Sequence, residues 1–388
     1  AVGIGWNMHN ESFLKEVSWV NMLKLRFSVG TSGSQHFNAY QAIQTYRYFL
    51  DDKYYAWNGS SLIAMGNPDL KWQQKRDYNI GLDVKLWDNR ITIGGDFYIA
   101  KTNDLISTLT LPAANGFTTY IENIGSLKNT GYELRLSAYV LRKDQMSWSV
   151  SLAGIHNKNK IVEVSQALLD AQNAIESEDL VNPNVQFRPG YSSNTIWTVR
   201  SAGIDPGTGK EVFISRDGNR TYNWSASDIV ATGVSDPKLE GNISSMFRYK
   251  GLSLNVSFGY RFGGQIYNST LANKVEVSKT AIGWNVDARV FHDRWKNIGD
   301  QASFKGLDDF TPTNKTSRFV QDETTFRCQN MTLQYELKSQ ALNKLLGIDY
   351  CLFSASTSDL FYISTVKRER GTSYPFSRQF SLGVNVVF

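Results

Sequence analysis

Between Leu252 and Phe262 the chain is apolar at every second place. Leu254, Val256, Phe258, Tyr260 and Phe262 alternate with Ser253, Asn255, Ser257, Gly259 and Arg261. A side-chain period of two marks a β-strand with one greasy face and one wet face, and it does not fit a helix. The same alternation recurs over residues 22–30, 78–86, 91–99, 132–140, 147–152, 242–249, 325–336, 347–357 and 376–388. Two further segments, 196–202 and 210–215, flank the Gly/Pro/Asp turn GIDPGTG. About twelve strands are therefore expected in an all-β chain. A segment with helical character, VSQALLDAQNAI over residues 164–175, is placed outside the sheet as a loop helix.

The connections between these strands alternate, long then short. Short reversals are expected at Asp88-Asn89, around Lys143, at Pro206, at Lys250-Gly251 and near Asn343, with long polar connections between them. One end of the sheet then carries tight turns and the other carries large loops. A soluble sandwich seldom keeps that parity, whereas a transmembrane antiparallel β-barrel has tight periplasmic turns and long extracellular loops. Strands of about 9–11 residues also suffice to cross a bilayer at a tilt. Mean hydropathy is −0.34 and no run approaches the ~20 apolar residues of a spanning helix, which excludes a helical membrane protein but not a barrel. In lipid every backbone group must be paired, so the sheet has to close. The formal charge of +5 is scattered, leaving no footprint for nucleic acid. The sequence starts at Ala1 without a signal peptide, which is expected to have been removed or to lie outside this piece.

The last segment, FSRQFSLGVNVVF, ends on an aromatic residue inside an alternating strand. It resembles the assembly signal of bacterial outer-membrane barrels, in which a polar residue, a glycine, an apolar residue and a terminal aromatic recur. Ser381, Gly383, Val386 and Phe388 occupy those places. By parity the carboxy terminus lies at the tight-turn, periplasmic end.

Chemistry-bearing residues form no constellation. His9, His36, His156 and His292 are isolated and have no metal-site spacing. The acid pairs Asp51-Asp52 and Asp308-Asp309 sit in expected loops without a calcium-loop pattern, and solvation is the better reading. GIDPGTGK lacks P-loop spacing, and no GxSxG or Cys/His pair occurs, so neither a metal nor a cofactor is expected and an enzyme is the least supported class. Cys328 and Cys351 lie on neighbouring expected strands, and two unpaired thiols are favoured over a bond. Aromatic residues crowd the loops: Tyr40, Tyr46, Tyr48, Phe49, Tyr54, Tyr55 and Trp57 in the first, then Tyr191, Trp197, Trp224, Trp284 and Trp295. Such rings either build loop cores and interfacial girdles or stack on sugars and partners, the structural role being favoured for any one ring.

Seven or more segments, in order, resemble the SusC/RagA family of TonB-linked outer-membrane transporters. They include LKLRFSVGTSGSQ, NPDLKWQQKRDYNIGLD, NIGSLKNTGYEL, AGIDPGTGKEVFISRDG, DPKLEGNISSMFRYKGLSLNVSFGYRFGGQIYN, DRWKNIGD, FRCQNMTLQYEL and the closing tail. An Asn-Leu-Phe-type segment of the family reads SDLFY here, over residues 358–362. The resemblance implies that residues 1–388 supply about the last twelve strands of a 22-stranded barrel, with the plug domain and early strands not present. It implies import of large nutrients, glycans or peptides, in the outer membrane. It implies as partners a SusD-like lipoprotein lid, the TonB complex acting through the missing plug, the remaining amino-terminal barrel portion, and outer-membrane lipid. Lumen-facing Asn255, Arg261 and Asn385 would wet the path. The alternatives are a structural or secretion-associated barrel scaffold and a soluble carbohydrate-binding β-protein.

Overall fold

The computed structural model describes residues 1–34, 39–110, 116–117, 119–175, 186–276, 287–309, 311–367 and 378–388. The first part of the chain runs β1 (Val2–Asn7), α1 (Ser12–Lys15), β2 (Val20–Ser34), β3 (Thr45–Tyr54), β4 (Trp57–Ala64), β5 (Gln73–Leu86) and β6 (Ile91–Thr110). Next come β7 (Thr119–Lys143), β8 (Met146–Val164), α2 (Gln166–Ile175), β9 (Thr195–Ile204), β10 (Glu211–Ile214), β11 (Arg220–Thr221) and β12 (Ile229–Val234). The remainder is β13 (Leu239–Tyr249), β14 (Leu252–Tyr267), β15 (Val320–Leu337), α3 (Gln340–Leu346), β16 (Tyr350–Ser358), β17 (Tyr362–Ser364) and β18 (Phe380–Val387).

One antiparallel sheet of 12 strands organises the molecule, in the order β1-β2-β5-β6-β7-β8-β13-β14-β15-β16-β18, with β17 extending the pairing of β15. Neighbours in the sheet follow chain order, as in an up-and-down barrel wall. The sheet is open, and β1 and β18 each leave one edge without a partner among the described residues. The expected number of strands holds for this sheet, but its membership differs. Residues 196–202 and 210–215 leave the wall and form, with β11 and β12, a separate sheet in the order β11-β10-β9-β12. Their place is taken by β1, which pairs with β2 from Val2↔Val29 to Asn7↔Lys24, and by β17. The Pro206 turn therefore belongs to a loop module and not to the tight-turn rim. The first long connection contributes its own two-stranded sheet, β3-β4.

Turn chemistry fixes the rim. Asp88 and Asn89 take φ values of 55° and 59°, the left-handed conformation that Asp and Asn tolerate best, and Lys250 does the same at 51° before Gly251. At the opposite end β7 runs for 25 residues, far beyond the ~10 that cross a bilayer. Over residues 73–77, 101–104 and 157–160 the strands carry polar residues on both faces, so the alternation fades in sequence while the backbone pairing continues.

Burial is inverted relative to a soluble protein. Tyr78, Ile80, Leu82, Phe97, Tyr132 and Leu134 all point from one face of the sheet and stay exposed. The tightest apolar cores lie outside the wall: Trp197, Val199, Phe213 and Ile229 in the loop module, and Leu271, Ala272, Val275 and Phe319 in the connection between β14 and β15. Rings gather at the tight-turn rim, where Trp19 stacks on Trp87 and cations rest on tyrosines: Arg142 on Tyr139, Lys250 on Tyr249, Lys338 on Tyr350. Such an aromatic girdle marks the edge of an apolar belt.

Cys328 and Cys351 are free thiols. Cys351 sits opposite Leu337, nine places along β15 from Cys328, or roughly 30 Å of strand, so they cannot bond.

Candidate functional site

Opposite the apolar face, the sheet presents an ionic surface. Arg26 on β2 donates through Nε to Asp83 Oδ2 at 2.7 Å, and through Nη2 to Asp83 Oδ1 at 3.2 Å and Asp96 Oδ1 at 2.9 Å. Arg135 on β7 closes the chain, donating from Nη2 to Asp96 Oδ2 at 3.0 Å. Register explains the reach: Arg26, Gly81 and Asp96 are directly opposed on successive strands. The guanidinium crosses β5 because Gly81 has no side chain; a Cβ there would lie 2.5 Å from both Arg26 Nη2 and Asp96 Oδ1. Tyr98 repeats the device, lying over Gly131 to donate to Asn157 Oδ1 at 3.2 Å. Asn129 then accepts from Asn157 at 3.2 Å and Asn159 at 2.9 Å.

Further round the same face a cavity of about 610 Å³ is lined by Glu240, Asn242, Arg261, Glu323, Arg327 and Gln329. Arg261 approaches the buried Glu323 carboxylate at 3.5 Å and donates to the Ser235 carbonyl. Arg261 and Asn255, both expected to face this side, do so, and Asn385 shares the face through its pairing with Leu352. On the outer face Tyr260 lies over Gly241 and Gly154 and donates to the Ala153 carbonyl at 2.9 Å.

The loop end carries two structures. One is the module built on β9–β12. Arg318 joins it to the following loop, meeting Glu211 at 2.9 Å and Glu276 at 2.8 Å. Glu276 is fully buried, and burial holds its carboxyl above the ordinary range even though Arg318 pulls the other way. Arg318 itself is raised by the two carboxylates, outweighing its own desolvation. Arg294 donates to the carbonyls of Val290 at 2.6 Å and Lys305 at 2.7 Å, and also to that of Val275. Lys305 caps Thr311 O at 2.6 Å. Burial lowers both Arg294 and Lys305. In the GIDPGTG turn the Asp205 carboxylate accepts from Thr208, Gly207 and Tyr222, which lowers its pKa. Trp295 covers Gly209 and donates to the Pro206 carbonyl at 2.9 Å.

The second loop structure is the β3-β4 hairpin. Tyr40, Tyr46, Tyr48, Tyr55 and Trp57 on and around it are exposed, Tyr55 at 88% and Trp57 at 79%. At its base a groove of about 600 Å³ is lined by Tyr40, Ile63, Met65, Phe117, Tyr120 and Ile121. The loop aromatics thus divide: Trp197 is core, with Tyr191 at 5.0 Å edge-on, while the hairpin rings are exposed. His36 and Trp284 lie outside the described residues, as do the side chains of Asp52 and Tyr54. Among the described residues no His/Cys/Asp/Glu group has the makings of a metal site. Sequence reasoning missed the ionic ladder because its paired members are 39–70 residues apart and meet only through register. The unpaired charges inside otherwise alternating strands were its one visible trace.

The tail residues Ser381, Gly383 and Val386 lie in β18, which pairs antiparallel with β16 from Phe380↔Thr357 to Val387↔Tyr350. Leu382 and Phe388 are exposed at 87% and 78%.

Residues 1–278 match the family model described as TonB dependent receptor-like, beta-barrel. TonB-dependent receptor P39 of Formosa agariphila is 24% identical over 100% of this chain and 42% of its own length. TonB-dependent receptor SusC of Bacteroides thetaiotaomicron is 27% identical over 100% of this chain and 40% of its own. The solved RagAB peptide transporter superposes with a TM-score of 0.82 at 23% identity, covering 99% of this chain and 42% of that one, which is a likeness of fold. The chain spans about two-fifths of the length of these relatives.

Proposed function

The chain belongs to the TonB-dependent receptor-like β-barrel family, and from that premise we propose that it forms the carboxy-terminal part of the barrel wall of an outer-membrane importer. The observation that carries this reading is the division of one 12-stranded sheet into an apolar face and an ionic face, with tight turns at one end only. The apolar face meets lipid. The ionic face lines a water-filled path, where Arg26, Asp96 and Arg135 hold strands together and leave charges for a polar solute. The remaining wall and a plug come from a portion outside residues 1–388, whose strands pair with the open edges of β1 and β18. TonB pulls on that plug to open the path; no chemistry on the solute is involved.

The long connections face outward and the carboxy terminus faces the periplasm. The solutes are large nutrients, glycans or peptides, delivered by a SusD-like surface lipoprotein. The similarity to SusC and the fold shared with the RagAB peptide transporter support that partner and that range of cargo. The exposed rings of the β3-β4 hairpin suit stacking on sugar faces or packing against the lid. Ser381, Gly383, Val386 and Phe388 serve as the assembly signal on the closing strand.

Affinity isolation of the whole outer-membrane protein through a tag on a long loop tests this. The expected outcome is a detergent-requiring, heat-modifiable barrel that brings down a lipoprotein, and a strong loss of that species when Phe388 is deleted. A protein that stays monodisperse in water without detergent overturns the membrane reading.

A further inference from the structure

Four cations stand in one register row on the outer face. Arg76 on β5 is directly opposite Lys101 on β6, Lys101 opposite Lys128 on β7, and Lys128 opposite Lys160 on β8. Directly opposed residues share a face. Two residues down each strand this row becomes Tyr78, Ile99, Thr130 and Lys158, and four residues down it becomes Ile80, Phe97, Tyr132 and His156. The cations therefore crown the apolar belt, at its loop end. On β5 that belt runs from Leu86 to Tyr78, about the height of an apolar membrane band once strand tilt is allowed for.

The row has no internal explanation. All four side chains are exposed. Among the described residues none of them enters an ion pair or a side-chain hydrogen bond, unlike Lys75, which turns to the ionic face and meets Asp77 at 2.8 Å. At the tight-turn rim Arg142, Lys250 and Lys338 rest on tyrosine rings, and among the described residues these four do not. No acidic residue shares the row or the two rows beneath it. Four like charges on strands ~4.8 Å apart repel one another, a cost that an anion between them would remove. With strands tilted ~40° the row, roughly 15 Å long, climbs roughly 10 Å, comparable to one headgroup layer.

We propose that Arg76, Lys101, Lys128 and Lys160, with Lys158 below them, form a docking surface for the phosphorylated headgroup of an outer-leaflet lipid. The occupant follows from position as well as charge: the row continues the lipid-facing belt, so an anion reaching it from the side is carried by a molecule whose acyl chains lie against Ile80, Phe97 and Leu134. Arg supplies a planar fork for phosphate oxygens and the lysines supply mobile point charges. The inference rests on the outer-membrane reading, and the test separates the two.

The whole detergent-purified transporter is titrated with bisphosphorylated lipid A, with its dephosphorylated form, and with inorganic phosphate, bound lipid being counted by native mass spectrometry. Heat-modifiable migration reports folding independently. The expected result is preferential retention of the bisphosphorylated lipid, weakened at least tenfold in R76Q/K101Q/K128Q/K160Q and unchanged in K75Q. If the quadruple variant fails to fold, K101Q/K128Q serves, with a smaller loss in the same direction. Equal retention of both lipids, unchanged affinity in a folded variant, or displacement by inorganic phosphate at matched concentration overturns the proposal. So does a folded variant that keeps the lipid but loses a co-purifying protein. A protein that needs no detergent fails the membrane reading instead.

Discussion

Gly81 shows how much one missing side chain decides. It lies beneath the Arg26 guanidinium, and an added Cβ would stand 2.5 Å from Arg26 Nη2 and Asp96 Oδ1. Gly95 sits one strand away on the opposite face with nothing within 4 Å of its ideal Cβ. G81A is therefore expected to push Arg26 off Asp96, which is nearly buried, and to cost about 1–3 kcal/mol. G95A is expected to stay within about 0.5 kcal/mol of the parent. Denaturant unfolding of the detergent-solubilised barrel, followed by the folded band on unheated gels, distinguishes them. In sequence Gly81 falls among the polar places Asn79 and Asp83, whereas Gly95 interrupts the apolar set between Ile93 and Phe97. Which face a glycine occupies follows from alternation, but what lies across it depends on a residue 55 places away. The proposal for the tail residues Ser381, Gly383, Val386 and Phe388 rests instead on local spacing alone.

Elements divide by whether a single strand carries its own signal. The walls β2, β5, β6, β13, β14, β15 and β16 announce themselves because one face is apolar and the other polar. β9 and β10 alternate less clearly, and in sequence they could not be told from wall strands. Their partners put them in the loop module, where Trp197, Val199 and Phe213 are buried. The helix α2 was visible outside the sheet, and the structure places it at Gln166–Ile175, close to the expected span. What locks the module is Arg318, bound to Glu211 on β10 and to Glu276 in the next loop. R318M leaves two buried carboxylates uncompensated and is expected to cost the module about 3–5 kcal/mol. Replacing both acids as well, in E211Q/E276Q/R318M, should recover much of that. Glu276 also gives the defect a pH dependence. Its pKa is raised in the folded state above the ordinary 4.5, so its contribution favours folding below that pH and is lost as pH rises through the folded value. Without Arg318 the rise is larger, so R318M should be mildest at acid pH and worsen toward neutrality. Limited proteolysis of the loop segments between residues 195 and 319 across a pH series measures this, while the wall strands stay protected.

For the molecule as a whole, the decisive property is that its burial runs backwards. A soluble sheet hides its apolar face under a second layer, whereas here that face is the exposed one and the charges lie on the opposite face. Alternation with turn parity predicted this arrangement. The open edges accord with a chain that supplies about twelve strands of a larger barrel; the loop module and the cation row were not legible, because each depends on which strands pair and in what register. Neighbouring residues on β14 give a direct test of which face meets lipid. Val256 pairs with Ser245 and Met331 on the apolar face, about midway along the strand between Leu252 and Phe262. Asn255 pairs with Met246 and Thr332 on the other face. At a bilayer midplane an outward arginine costs about 2–4 kcal/mol, while a lumenal one meets water and other polar groups. V256R should therefore lower the folded fraction in lipid vesicles by that amount, and N255R should leave it nearly unchanged. In a soluble sandwich the sign is the same for V256R but its size would not depend on the solvent. The membrane reading requires the V256R penalty to shrink when the protein is moved from vesicles to a short-chain detergent whose polar groups can reach the guanidinium. An equal penalty in both, or a larger one for N255R, would place the apolar face against protein instead of lipid.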